Sequence, residues 1–228
     1  MLRESKGNMY SWVTHQWNTI KGKCYHDCSY CYMKQWGELK PIRFDYKELT
    51  TDLGSNNIIF VNDSNDMFAD KIPEIWIQDT LNHCIKFNNK YLLQTKNPRR
   101  IFDSFNIPSG YYNPNKNSGF IICTTIETNR WYPQYMNNSP EPYLRATAMN
   151  ALSKIYNNYV TIEPLMDFDL EPLVELIKMC NPLQVNIGAD SKKHNLPEPP
   201  KEKILELIGE LKKFTMIDIK TNLQRLLK

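Results

Sequence analysis

The sequence predicts an α/β fold in which parallel strands alternate with outer helices. Short apolar runs of strand length, bounded by Gly, Pro and polar clusters, recur along the chain, and each is followed by apolar residues at helical spacing. The alternation repeats about six times, as parallel strands joined by crossover helices require. The strands also end in polar clusters, at the side of such folds where ligands bind. An open doubly wound sheet and a barrel or partial barrel both satisfy this pattern.

Residues 11–18 read as the first strand, with a cysteine-rich loop directly after it. Residues 57–61 (NIIFV) form an apolar run between Gly54 and the polar stretch 62–66, hence a buried strand. Pro73 suits the start of a helix over 74–87. A strand over 91–95 and a helix over 98–105 come next, then a loop over 107–118. The series continues with strand 119–125 (GFIICTT), helix 141–153, strand 159–162, helix 171–179 and strand 183–187. Residues 190–200 are charged and proline-rich, and read as a loop. Helix 201–213 places Ile204, Leu207, Ile208 and Leu211 on one face. Strand 216–219 and a short terminal helix close the chain. No repeat or linker interrupts it, so one domain over 1–228 is expected, with its core at about 11–220.

With 41% apolar and 23% charged residues, the composition is that of a globular domain with a real core. A formal net charge of +3 permits an anionic partner without requiring one. No apolar stretch approaches the roughly 18 residues of a membrane span. The start, MLRESKGNMYSW, lacks the apolar centre of a secretory signal. A cytoplasmic protein is expected, with no membrane contact and with reduced thiols.

Cys24, Cys28 and Cys31 lie within CYHDCSYC, a C-x3-C-x2-C spacing, and the other three cysteines are scattered. Among reduced thiols, such a cluster reads as a metal or redox site. Structural zinc takes four ligands, so His26 or His15 would have to complete the set. A thioredoxin-like pair of Cys28 and Cys31 leaves Cys24 unexplained. Tightly spaced cysteines also suit an iron–sulfur cluster, and three ligands to a four-iron cube leave one iron open.

On this loop, with Tyr30 just before the last cysteine, the chain resembles the radical S-adenosylmethionine (SAM) superfamily. The resemblance implies a partial (β/α)6 barrel with parallel strands. It also implies that Cys24, Cys28 and Cys31 bind a 4Fe–4S cluster whose open iron takes the amino and carboxylate groups of SAM. Reductive cleavage of SAM then yields a 5′-deoxyadenosyl radical that abstracts hydrogen from a substrate. Trp17-Asn18, Gly22, the three cysteines, VNDSNDMFAD, LLQTKNPRR, CTTIET, VTIEPLM and VNIGADSKK together resemble a phage-associated radical-SAM-like family of unassigned reaction. That likeness runs from about residue 11 to about residue 220 of this chain. It departs at Gly188-Ala189-Asp190-Ser191, where family members carry a Gly-Gly-Glu-Ser-like segment. Spore photoproduct lyase is similar at greater distance.

The resemblance orders the remaining positions. Asp63 or Ser64, after the second strand, is the candidate for the SAM amino group, with a turn or helix cap as the plain alternative. Strand alternation groups Ile121, Cys123 and Thr125 with Glu127, and Tyr159 and Thr161 with Glu163. Inward carboxylates are costly unless solvated, paired or ligand-bound, so Glu127 and Glu163 are candidates for ribose or substrate binding or for proton transfer. Asn186 and Gly188 suit the adenine edge, and Lys96 the SAM carboxylate or a substrate phosphate. Tyr30 is expected to pack around the cluster. Cys123, facing the interior, is a candidate hydrogen donor by analogy with spore photoproduct lyase. Aromatic residues beside basic ones suggest a nucleobase, nucleotide or nucleic-acid substrate, and the chemistry implies an electron donor such as flavodoxin or ferredoxin. Two other classes remain open: a zinc-stabilised binding module, and an iron–sulfur nucleic-acid-binding protein without SAM chemistry.

Overall fold

The computed structural model describes residues 1–103 and 119–228. The expected loop over 107–118 and the end of the helix over 98–105 lie outside the described residues. In chain order the first strands are β1 (Arg3–Glu4), β2 (His15–Trp17), β3 (Ile20–Lys21), β4 (Arg43–Phe44) and β5 (Ile58–Val61). Helix α1 (Glu74–Cys84), β6 (Lys90–Thr95), α2 (Pro98–Asp103) and β7 (Phe120–Thr125) follow. Then come α3 (Pro133–Met136), α4 (Pro142–Leu152), β8 (Asn157–Ile162), α5 (Leu170–Met179), β9 (Gln184–Ile187), α6 (Lys201–Leu211) and β10 (Met216–Ile219). The terminal helix is a 3-10 turn over Thr221–Leu226.

The main sheet runs β1-β2-β5-β6-β7-β8-β9-β10. Every neighbouring pair is parallel except β1 with β2. Strand order follows chain order, as a winding half-barrel of βα units requires. This is the predicted fold class, a largely parallel sheet with alternating helices in a partial barrel.

Alternation along the strands supplies two buried faces. Tyr91, Leu93, Ile122, Val160, Ile162, Val185 and Ile187 face the helices and join Ile77, Met149, Ile177 and Leu207 in the main core. Each fully buried side chain of this kind contributes about 1.5–3 kcal/mol. The opposite, concave face carries Phe60, Leu92, Ile121 and Cys123.

The first strand is shorter than the sequence pattern suggests, because residues 8–13 are used elsewhere. They cross the concave face. Tyr10 stacks on Trp12, with ring centroids 5.5 Å apart, and on Phe60 at 6.2 Å, while Trp12 meets Tyr159 edge-on at 5.2 Å. The Tyr10 hydroxyl donates to Gln94 Oε1 at 2.7 Å, and Lys220 Nζ sits 4.6 Å from the Tyr10 ring centre. Burying these rings stabilises the segment where it leaves the ladder.

The small ladder of β3 with β4 closes the base of the cysteine loop, pairing Ile20 with Phe44 and Lys21 with Arg43. Gly22 follows at φ 102°, and a Cβ there would lie 2.4 Å from Pro41 O and 2.7 Å from Lys40 O. Both obstacles are backbone, so neither can swing aside. Gly22→Ala is expected to cost roughly 2–3 kcal/mol, measured as a lower urea midpoint with an unchanged slope.

Candidate functional site

The segment after β5 organises the entrance to the cysteine loop. Asn62 Oδ1 accepts from the amides of Thr19 and Ile20 at 2.8 and 2.9 Å, and Asn65 Nδ2 donates to Gly22 O at 3.0 Å. Asp63 accepts from Asn18 Nδ2 at 2.5 Å, and the Tyr32 hydroxyl donates to the Asp63 carbonyl at 3.0 Å. Burial raises the Asp63 carboxyl. The Ser64 hydroxyl donates to Asn18 Oδ1 at 2.9 Å. Both candidates for the SAM amino group thus stand beside the loop, engaged by Asn18.

Sequence reading passed over Asp66. Its Oδ2 accepts from His26 Nε2 at 2.8 Å, Thr95 Oγ1 at 3.0 Å and the Lys96 amide at 2.8 Å, and its Oδ1 from the Phe68 amide at 2.9 Å. Burial alone would raise this carboxyl. The His26 ring and these donors outweigh it, so Asp66 titrates below the usual carboxylate range. His26, inside the cysteine loop and itself buried, is thereby tied to the ends of β5 and β6. His15 lies at the start of β2, its Nδ1 bonded to Thr14 Oγ1 at 2.9 Å.

All six cysteines are free. Cys24 and Cys31 are partly exposed and line one open cleft with Lys23, Asp27 and Lys34. Burial and the Asp66 carboxylate push the Cys24 thiol up to about 12, and burial raises that of Cys31. Cys28 is buried with Tyr30, Met136 and Met166, its Sγ 3.2 Å from Ser139 Oγ. The donor set fits a thiolate-held cluster in kind and in place: three free thiols on one loop between β3 and β4, two of them opening onto a cleft. Among the described residues, no three His, Cys, Asp or Glu side chains are gathered around one point as a ligand set.

Glu127 is fully buried after β7. Arg145 Nη1, also fully buried, donates to its Oε2 at 2.7 Å, and Lys96 and the Tyr30 hydroxyl both donate to its Oε1. Burial would raise this carboxyl; the Arg145 guanidinium and Lys96 ammonium more than offset that and hold it ionised, well below the usual range. Lys96 Nζ also lies 5.1 Å from the Tyr30 ring centre. The expected residues Tyr30, Lys96 and Glu127 therefore meet in one cluster beside the cysteine loop. Arg145 was missed, although a signal exists. On α4, the buried positions Pro142, Arg145, Ala146, Met149 and Leu152 follow helical spacing, and a charge sits among them.

Glu163 belongs to a second cluster. Lys220 Nζ donates to its Oε2 at 2.6 Å, and Asn222 and Asn8 donate to its Oε1 at 2.8 and 3.0 Å. Gly188 lies against it: a Cβ there would come 2.8 Å from Glu163 Cδ. Asn186 is fully buried, accepting from Gln184 Nε2 at 2.8 Å and donating to Val160 O at 3.3 Å. Cys123 faces the concave interior, fully buried beside Tyr10 and Tyr159, and burial raises its thiol strongly. Glu127 and Glu163 thus have separate partners. Each is paired, as an inward carboxylate must be.

Among the described residues, no helix is long and apolar enough to cross a membrane. No protein-family model matches the sequence, and no curated protein matches it. The fold is similar to that in the crystal structure of methylornithine synthase (PylB), with a TM-score of 0.52 and 13% sequence identity. The match covers 89% of this chain and 63% of that one. The class defined by fold is a partial α/β barrel with a largely parallel sheet. At this identity the likeness is one of fold.

Proposed function

We propose that this chain is a radical SAM enzyme, with Cys24, Cys28 and Cys31 as ligands of a 4Fe–4S cluster. The observation that carries the reading is the position of three free thiols on the loop that follows the first parallel strand of this partial barrel. When bound, the cluster supplies an electron for reductive cleavage of SAM. The chain's own residues bind and orient. Lys96, held by the buried Glu127, offers a cation to a carboxylate, and Asp63 or Ser64 an acceptor to an ammonium group. Glu163, with Asn186 and Gly188 nearby, is assigned to the adenosine or substrate side. The substrate class we assign is a nucleobase or nucleotide, supported by aromatic residues beside basic ones, among them the partly exposed rings of Trp12 and Tyr159. A small redox protein is the electron donor, and the cytoplasm the compartment.

Anaerobic reconstitution tests this. About four iron and four sulfide per chain are expected, with a changed cluster spectrum on adding SAM and 5′-deoxyadenosine after reduction. Cys28→Ala is expected to lose the cluster. One tightly bound zinc and no iron would overturn the reading in favour of a binding module. A cluster blind to SAM would favour a nucleic-acid-binding protein.

A further inference from the structure

A short segment distant in sequence grips the cysteine loop. Residues 135–139, the end of α3 and the turn after it, meet four backbone groups of the loop. The Ser29 amide donates to Tyr135 O at 2.9 Å and the Asn138 amide to His26 O at 3.1 Å. Asn137 Nδ2 donates to Asp27 O at 2.6 Å, and Asn138 Nδ2 to Tyr25 O at 2.9 Å. Asn137 adopts φ 48°, which Asn tolerates better than most residues. Met136 is fully buried against Cys28 and Tyr30. The segment ends at Ser139, buried, with its hydroxyl 3.2 Å from Cys28 Sγ. The Cys28 thiol also lies 3.8 Å from Met136 O, and either the thiol or the Ser139 hydroxyl can donate in the 3.2 Å contact.

We propose that Ser139 is a positioning residue for Cys28, donating a hydrogen bond to its sulfur and raising the reduction potential of the bound cluster. This rests on the cluster reading above. A thiolate has no S–H, so metal binding removes the contact to Met136 O and leaves the Ser139 hydroxyl facing a negative sulfur. One-electron reduction by an external donor adds negative charge to the cluster and its ligands. A buried donor stabilises that form more than the oxidised one, and hydrogen bonds to cluster sulfurs are among the factors that set such potentials.

The test compares the full chain with Ser139→Ala and Ser139→Thr after anaerobic reconstitution, by iron and sulfide content and by potentiometric titration followed by electron paramagnetic resonance. We expect all three to carry the cluster. At a fixed potential the reduced-to-oxidised ratio of Ser139→Ala falls roughly tenfold, equivalent to 59 mV for one electron. Ser139→Thr, which keeps the hydroxyl, retains the wild-type ratio. A loaded Ser139→Ala protein with the wild-type potential overturns the inference and leaves the cluster reading standing. A wild-type chain that takes up no iron overturns the cluster reading itself.

Discussion

Arg145→Leu is expected to destabilise the protein by about 3–5 kcal/mol, the usual cost of leaving one member of a buried ion pair behind. Glu127 and Arg145 have no exposed side-chain surface, so water cannot replace the lost partner. The substitution also removes the donors to Thr125 O at 2.9 Å and Pro140 O at 2.6 Å. For a chain of this size the loss corresponds to a fall in Tm of roughly 6–20 °C. Thermal denaturation of the apo-protein measures it, and a change below 1 kcal/mol would contradict the pairing. The double variant Arg145→Leu with Glu127→Leu is expected to recover part of the loss, since no buried carboxylate then remains.

The pH dependence has a definite sign. The folded-state pKa of Glu127 is depressed, so its contribution is present above the unfolded carboxyl value of about 4.3. It is lost as pH falls from there through the folded value, well below the usual range. The stability gap between wild type and Arg145→Leu is therefore flat from about pH 6 to 8 and narrows below about pH 4, where the orphaned carboxyl of the variant protonates.

Asp66→Ala carries the second large effect, about 3–4 kcal/mol. It strands the His26 ring nitrogen, the Thr95 hydroxyl and the Phe68 amide, all buried, and the partly buried Lys96 amide. The consequence reaches the cysteines, because His26 loses its tie to the ends of β5 and β6. Under native conditions the thiols of Cys24 and Cys31 are expected to react several-fold faster with a thiol reagent, while Cys84 and Cys180, buried in the main core, stay protected. Unchanged labelling of Cys24 and Cys31 would show that other contacts hold the loop.

Local pattern made much of this molecule legible. The apolar runs at 57–61 and 119–125 are strands because both their faces are buried, and periodicity alone expresses that. The edge strand at 216–219 and the single apolar face of α6 also agree with expectation. The longer first strand failed because aromatic residues suit a strand and a core equally well. Trp12 instead packs on the concave face, stacked on the buried Tyr10.

The sequence by itself determined the alternation of strands and helices, the loop of three cysteines and the polar strand ends, since each is set by neighbours along the chain. Only the tertiary structure decided which charges meet. Glu127 found Arg145 and Lys96, Glu163 found Lys220 and Asn8, and Cys28 found Ser139, 111 residues away. No periodicity records such pairings. They follow from where the sheet brings its strand ends together, and from the cost of leaving a buried charge or donor without a partner.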